Sequence, residues 1–254
     1  MEETFLSDCN EMRALIKEYG GVDSYTTTQA ISLFKLVYKA VADLGYDIEN
    51  EAEFHKGVEK LFNIEVIGMR DFSHGKYVFA PNHVSEFDGL IFGTLVANML
   101  VVAKNEWISN PNLNAFTQKL FSIVGIDRND KMSGMNALRE CISYLESGDD
   151  RAVTVFVQQT IVDIEITTAE DVASGAYYIA QKGGAQLIPV YQEQVSLDHP
   201  TRIVFGDPIV CNRNDFGEEW LKREYALRDS ISSPAARPPI LCEKHSKPIS
   251  QRNF

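Results

Sequence analysis

The sequence predicts an α/β fold: a mixed, largely parallel sheet flanked by helices, preceded by an N-terminal helical hairpin. Three observations predict it. From about residue 51 onward, short apolar runs of strand length alternate with stretches of helical periodicity. The first fifty residues show only helical spacing. The chain has 254 residues, 44% of them hydrophobic, which suffices for one large domain with a small appendage. The organisation expected is a helical segment over 1–50, an α/β domain over 51–230 and a draped or mobile tail over 231–254.

The elements follow in order. Residues 7–18 place Met12, Leu15 and Ile16 on one helical face and stop at Gly20-Gly21. The stretch TTTQAISLFKLVYKAVADLG supplies threonine caps, then Phe34, Val37, Tyr38 and Val41 on a wide apolar face, closed by Gly45. That face suits packing on the main domain; its alternative use is interfacial membrane contact. Strands are expected at 64–68, 77–80, 100–103, 153–157, 187–191 and 202–205, and helices at 88–98, 112–121, 133–146 and 170–181. The apolar stretch from Gly89 to Ala103, interrupted by Asn98, is too short to span a bilayer and reads as a helix running into a strand. Gly183-Gly184 reads as a helix C-cap. The segment after Ser230 is rich in Pro, Ser and Lys.

Composition narrows the partners. A net charge of −12 argues against nucleic acid and against long-range attraction to anionic headgroups. Cys9, Cys141, Cys211 and Cys242 are far apart and suggest free thiols in a reducing compartment. The acidic N-terminus does not resemble a secretory signal. A cytoplasmic protein, or one peripheral at the cytoplasmic membrane, is expected.

The chemistry concentrates in FAPNHVSEFDGL, residues 79–90. A buried strand ends at a proline and releases Asn82, His83, Ser85, Glu86 and Asp88 before apolar residues resume. On a continuous helix His83 and Asp88 would stand about 140° apart. At a strand-to-helix junction they can meet. Ser85 would be the N-cap and Asp88 the third helical residue of a capping box. Asp88 would then accept the Nδ1 proton of His83, fix its tautomer and leave Nε2 to take a proton. No GxSxG elbow occurs, so the substrate must bring the nucleophile. His55 and His74 read as surface residues, and Trp107, Tyr177 and Tyr178 as core aromatics with an alternative place in an acyl groove.

An HxxxxD pair alone is weak, since about one chain in three of this composition contains one by chance. Its context is more specific. The NHxxxxD stretch resembles the first block of the glycerolipid acyltransferases, the lysophosphatidate (1-acylglycerol-3-phosphate) acyltransferase family. Later stretches resemble further blocks in the same order: VVAKNEWISNP (101–111), VGIDRND (124–130), YLESGDDRAVTVFVQQT (144–160), GAYYIAQKGGAQLIPVY (175–191) and IVFGDPI (203–209). The resemblance covers about residues 60–212. It implies that His83 is a general base for the acceptor hydroxyl, that Asp88 orients it, and that Asn82 and Ser85 shape the turn. It implies an acyl thioester donor, on coenzyme A or on acyl carrier protein, a lipid or small-molecule acceptor, and neither metal nor redox cofactor.

The third block departs from the family. Phe-Pro-Glu-Gly-Thr-Arg is replaced by Phe156-Val157-Gln158-Gln159-Thr160-Ile161. The family's glutamate and arginine help hold a glycerol phosphate; Gln158 is neutral and Ile161 cannot bind phosphate. Losing one charge-assisted contact costs on the order of 1.5–3 kcal/mol. Arg128 matches the second-block arginine that the family uses near the phosphate, and Lys104 begins the Lys-x-Glu segment, so Arg128, Lys104, Gln158 and Thr160 are the candidate acceptor-binding residues. The acceptor expected is an atypical one, such as one lacking a phosphate. The alternatives are ordinary lysophosphatidate acylation and a non-catalytic lipid- or partner-binding module.

Overall fold

The computed structural model describes residues 10–11, 14, 27–68, 71–84, 87–117, 121–127, 129–158, 168–193, 197 and 199–231. The 7–18 helix, apart from its three described positions, lies outside these residues, as does the tail from 232.

Helices α1 (Thr27–Asp43) and α2 (Glu51–Leu61) precede strand β1 (Ile64–Ile67). Asn50 caps α2 by accepting the Glu53 amide through its side chain. The chain then alternates: β2 (Gly75–Pro81), α3 (Asp88–Leu95), β3 (Met99–Lys104), α4 (Asn105–Ser109), α5 (Pro111–Thr117), β4 (Ser122–Ile126), α6 (Lys131–Glu146), β5 (Asp150–Thr154), α7 (Gly175–Gly183), β6 (Gln186–Gln192), β7 (Thr201–Phe205) and α8 (Phe216–Ile231). A short 3-10 turn, Ala169–Asp171, precedes α7.

The sheet order is β1-β7-β6-β2-β5-β3-β4. All pairs are parallel except β6 with β7. Strands β1 and β7 therefore run against the other five, and the sheet is mixed and largely parallel. Side chains alternate across it, as the two-residue period of a strand requires. Tyr77, Phe79, Ile188 and Ile203 join a core with α1, α2 and α3 on one face. Val78, Ala80, Val153 and Leu187 join a second core with α6, α7 and α8 on the other. Burial of both faces explains why these strands read as continuous apolar runs.

The apolar face of α1 belongs to the first core: Phe34, Val37, Tyr38 and Val41 are all buried. It packs on the domain and is not available to a membrane. Burial pushes the Tyr38 hydroxyl up to about 12. Among the described residues no helix is long and apolar enough to cross a membrane. The stretch from Gly89 to Ala103 is α3 running into β3, turned at Asn98, whose φ is +52°. Gly184 is the left-handed C-cap of α7, with φ +64°.

Several expectations need correction. The helix expected at 170–181 is the 3-10 turn followed by α7. The one expected at 88–98 ends at Leu95, and the one at 112–121 is described only as Pro111–Thr117. Helices α2 and α8 and strand β4 were not assigned bounds from periodicity. Strand β4 is only five residues long and lies at the sheet edge, where one flank needs no apolar partner. His55 is half-buried on α2, and burial lowers its pKa; His74 and His199 are exposed.

Candidate active site

The site forms where β2 ends. Parallel strands deliver loops to one edge of the sheet, and neighbours of a central strand converge there. Strand β2 lies between β5 and β6. The β2–β5 alignment continues beyond the strand proper: Val155 N donates to Phe79 O at 3.0 Å and Val157 N to Pro81 O at 3.2 Å. This is why the apolar run 153–157 reads as strand to its end. The next residue, Gln158, is thereby brought beside His83, whose backbone N–H donates to Gln158 Oε1.

On the other flank Asn82 locks β2 to β6. Its Nδ2 donates to Gln192 O at 2.9 Å, and its Oδ1 accepts from Gln192 N at 2.8 Å. Gln192 Nε2 returns a bond to Asn82 O at 3.3 Å. Both residues are buried. Asn82→Ala leaves a buried N–H and a buried C=O without partners. It is expected to cost about 2–4 kcal/mol, read as a lowered midpoint in urea unfolding.

His83 Nδ1 lies 2.7 Å from Asp88 Oδ2, and the same oxygen accepts the Val84 N–H at 2.8 Å. The Asp88 side chain is wholly buried, whereas that of His83 keeps 17% of its surface exposed. One carboxylate oxygen thus holds both the ring and the loop that carries it. The expected pairing is present, but the cap is different. Asp88 is the first residue of α3, not the third, and Phe87 occupies the N-cap without a side-chain bond. The carboxylate bends back to the His83–Val84 loop, so the helix begins at the acid itself. Ser85 lies outside the described residues.

Phe156 stacks on the imidazole, with ring centroids 4.4 Å apart and planes 23° from parallel. Phe92 meets Phe156 edge-on at 6.2 Å. The ring is therefore held by a hydrogen bond at Nδ1 and by an aromatic face, while Nε2 is left for other partners.

His83 lines a cavity of about 930 Å³. Its walls include Leu90, Val101 and Phe156 from the first core and Leu138, Val155 and Ile179 from the second. The cavity therefore wraps the ends of β3 and β5 and reaches both faces of the sheet. Trp107 stands in this wall and packs edge-on against Phe34 at 5.4 Å. Tyr178 is also in the wall, whereas Tyr177 packs on Phe216 at 5.7 Å. Phe121 forms another part of the wall. Gly93 is glycine for a steric reason, because a Cβ there would come within 2.3 Å of the Phe121 ring.

Of the residues singled out by sequence, Asn82, His83, Asp88 and Gln158 come together. Lys104 ends β3, is half-buried and lines the same cavity. Arg128 and Thr160 lie outside the described residues. Phe156 and Gln192 were missed as site residues. Phe156 was legible only as the surviving phenylalanine of the third block. Gln192 carried no signal, since its pairing spans 110 positions.

An imidazole paired at Nδ1 with a buried carboxylate, beside a large, mainly apolar cavity at the carboxyl ends of parallel strands, is an arrangement compatible with acyl transfer. The chain belongs to the acyltransferase family, whose model matches residues 63–193. Its fold is similar to that in the crystal structure of the 1-acyl-sn-glycerophosphate (LPA) acyltransferase PlsC from Thermotoga maritima. The two share 17% identity with a TM-score of 0.51, over 83% of this chain and 95% of that one. At that identity the likeness bears on the fold.

Proposed function

We propose that this acyltransferase moves a fatty acyl chain from a thioester, acyl-CoA or acyl carrier protein, to a hydroxyl or amine of an acceptor other than a standard lysophosphatidate. His83 is the general base and Asp88 its orienter. The observation that carries this reading is the 2.7 Å contact of Nδ1 with Asp88 at the wall of the cavity. With Nδ1 engaged, Nε2 takes the acceptor proton as the acceptor atom attacks the thioester carbonyl. The tetrahedral intermediate collapses with cleavage of the C–S bond. The imidazolium returns its proton to the departing thiolate, leaving an ester or amide and a free thiol. A thioester is already activated, and holding both substrates in one cavity supplies a further entropic gain.

The acceptor assignment rests on the third block. Gln158 stands where the family has a carboxylate, and its oxygen is engaged by the His83 amide. Ile161 stands where the family has an arginine. Ordinary lysophosphatidate acylation is the second reading, supported by the cations Lys104, Lys131, Arg139 and Arg213 in the cavity wall.

The test supplies palmitoyl-CoA, or palmitoyl acyl carrier protein, with lysophosphatidate and with monoacylglycerol. Thiol release coupled to product formation is expected with the unphosphorylated acceptor. Acylation of lysophosphatidate alone would overturn the atypical-acceptor assignment. Binding of lipid without transfer from either donor would favour the non-catalytic module.

A further inference from the structure

Resting on that thioester reading, we infer that Gln158 is a catalytic residue whose side-chain nitrogen donates to the oxyanion formed on the thioester carbonyl. Two observations lead there. Gln158 Oε1 accepts the backbone N–H of His83. An N–H can only donate, so the amide orientation is fixed: oxygen toward His83, nitrogen away from it. The residue is 3% exposed and lines the cavity that contains the His83 ring. Among the described residues its nitrogen makes no hydrogen bond. A buried amide in the cavity wall thus carries two donors that no described residue engages.

The position suits the chemistry. The acceptor atom must approach Nε2 of His83, and the carbonyl carbon must lie within bonding reach of that atom. Negative charge then develops on the carbonyl oxygen beside the base, and donors already in place there stabilise it without reorganisation. The amide is fixed to the backbone of the base itself, so base and donor keep one geometry. Val157 N, bonded to Pro81 O at 3.2 Å, fixes the backbone from which the amide extends.

This role separates a glutamine from a glutamate. Glutamate also accepts the His83 N–H, but when ionised it has no donor and places a negative charge beside the developing oxyanion. Glutamine therefore changes what the position does: an acceptor-only group becomes one that anchors the base and donates to the carbonyl oxygen.

The experiment compares wild type, Gln158→Glu, Gln158→Met and His83→Ala in palmitoyl transfer from palmitoyl-CoA. Melting temperatures are recorded for each, and the acceptor is whichever of lysophosphatidate and monoacylglycerol the wild type uses. Gln158→Glu keeps the acceptor for the His83 amide. It is expected to lower kcat about a hundredfold with the KM for palmitoyl-CoA within about twofold. Its activity relative to wild type should rise as pH falls, because a protonated glutamic acid regains one O–H donor; a purely anchoring role gives no such trend. Gln158→Met, uncharged and without a donor, should show the same loss if the glutamate variant fails to fold. If Gln158→Glu, or failing that Gln158→Met, retains kcat within about twofold while His83→Ala is inactive, the oxyanion role is overturned and the base assignment stands. If His83→Ala transfers as well as wild type, the base assignment falls first and the oxyanion role with it.

Discussion

Acyl transfer by a His83→Ala variant is expected to fall by about two to four orders of magnitude, beyond what its loss of fold stability explains. The range is that of a lost general base. His83 is the cavity-wall residue whose ring is held at one nitrogen by a buried carboxylate and on one face by Phe156. Without it, nothing else along this wall combines a proton acceptor with such an orienter among the described residues. Some stability is lost as well, because the wholly buried Asp88 keeps the Val84 N–H but loses the imidazole, while the His83 backbone N–H still reaches Gln158. Single-turnover transfer from palmitoyl-CoA, read beside a thermal melt, separates the two effects. Transfer within threefold of wild type would remove the histidine from the mechanism.

The second large effect concerns stability. Glu224 on α8 is buried, and its Oε2 has no hydrogen-bond partner among the described residues. Burial first, and then the Asp229 carboxylate, push its pKa from 4.5 up to about 8. The folded protein therefore holds a proton that the unfolded chain releases above about pH 4.5. Between pH 4.5 and 8 the folded state binds more protons, so stability falls as pH rises across that window and levels off above it. The loss is on the order of several kcal/mol at its upper limit. In Glu224→Gln this dependence should vanish, so the variant gains on wild type progressively from pH 5 to pH 8. His55 acts in the opposite sense, because burial lowers its pKa below 6.5; it is common to both proteins and drops out of the difference. Parallel urea-unfolding stabilities for the two proteins across pH 5–8 would show that Glu224 is not protonated in the fold.

Neighbouring residues explain why the Glu224 site matters to β2. One helical turn earlier Trp220, fully buried, donates its indole N–H to Ala80 O at 2.8 Å. Strand β2 carries the site at its end, so α8 braces the strand from behind. Neither Trp220 nor Glu224 drew notice in the sequence, because helix periodicity after residue 212 is diluted by charged residues on the exposed face.

The local features were the legible ones. Asn82, His83 and Asp88 fall within seven positions, so a strand-to-helix turn suffices to bring His83 and Asp88 together. The apolar face of α1 was visible as helical spacing, and packing was the reading that held. The capping register was misread because Ser85-x-x-Asp88 fits a capping box by spacing. In the fold the carboxylate is drawn instead to the His83 ring and the Val84 amide, a competition that spacing cannot decide.

By itself, then, the sequence determined that strands and helices alternate, that a histidine and an acid meet where a buried strand ends, and that the third block lacks its usual charges. Only the tertiary structure decided that β1 and β7 run against the other strands, that Gln192 clasps Asn82, and that Gln158 grips the backbone of His83. The reason is distance along the chain. Those bonds join residues 75 and 110 positions apart, and their partners are set by strand order and sheet register, which no local pattern of residues encodes.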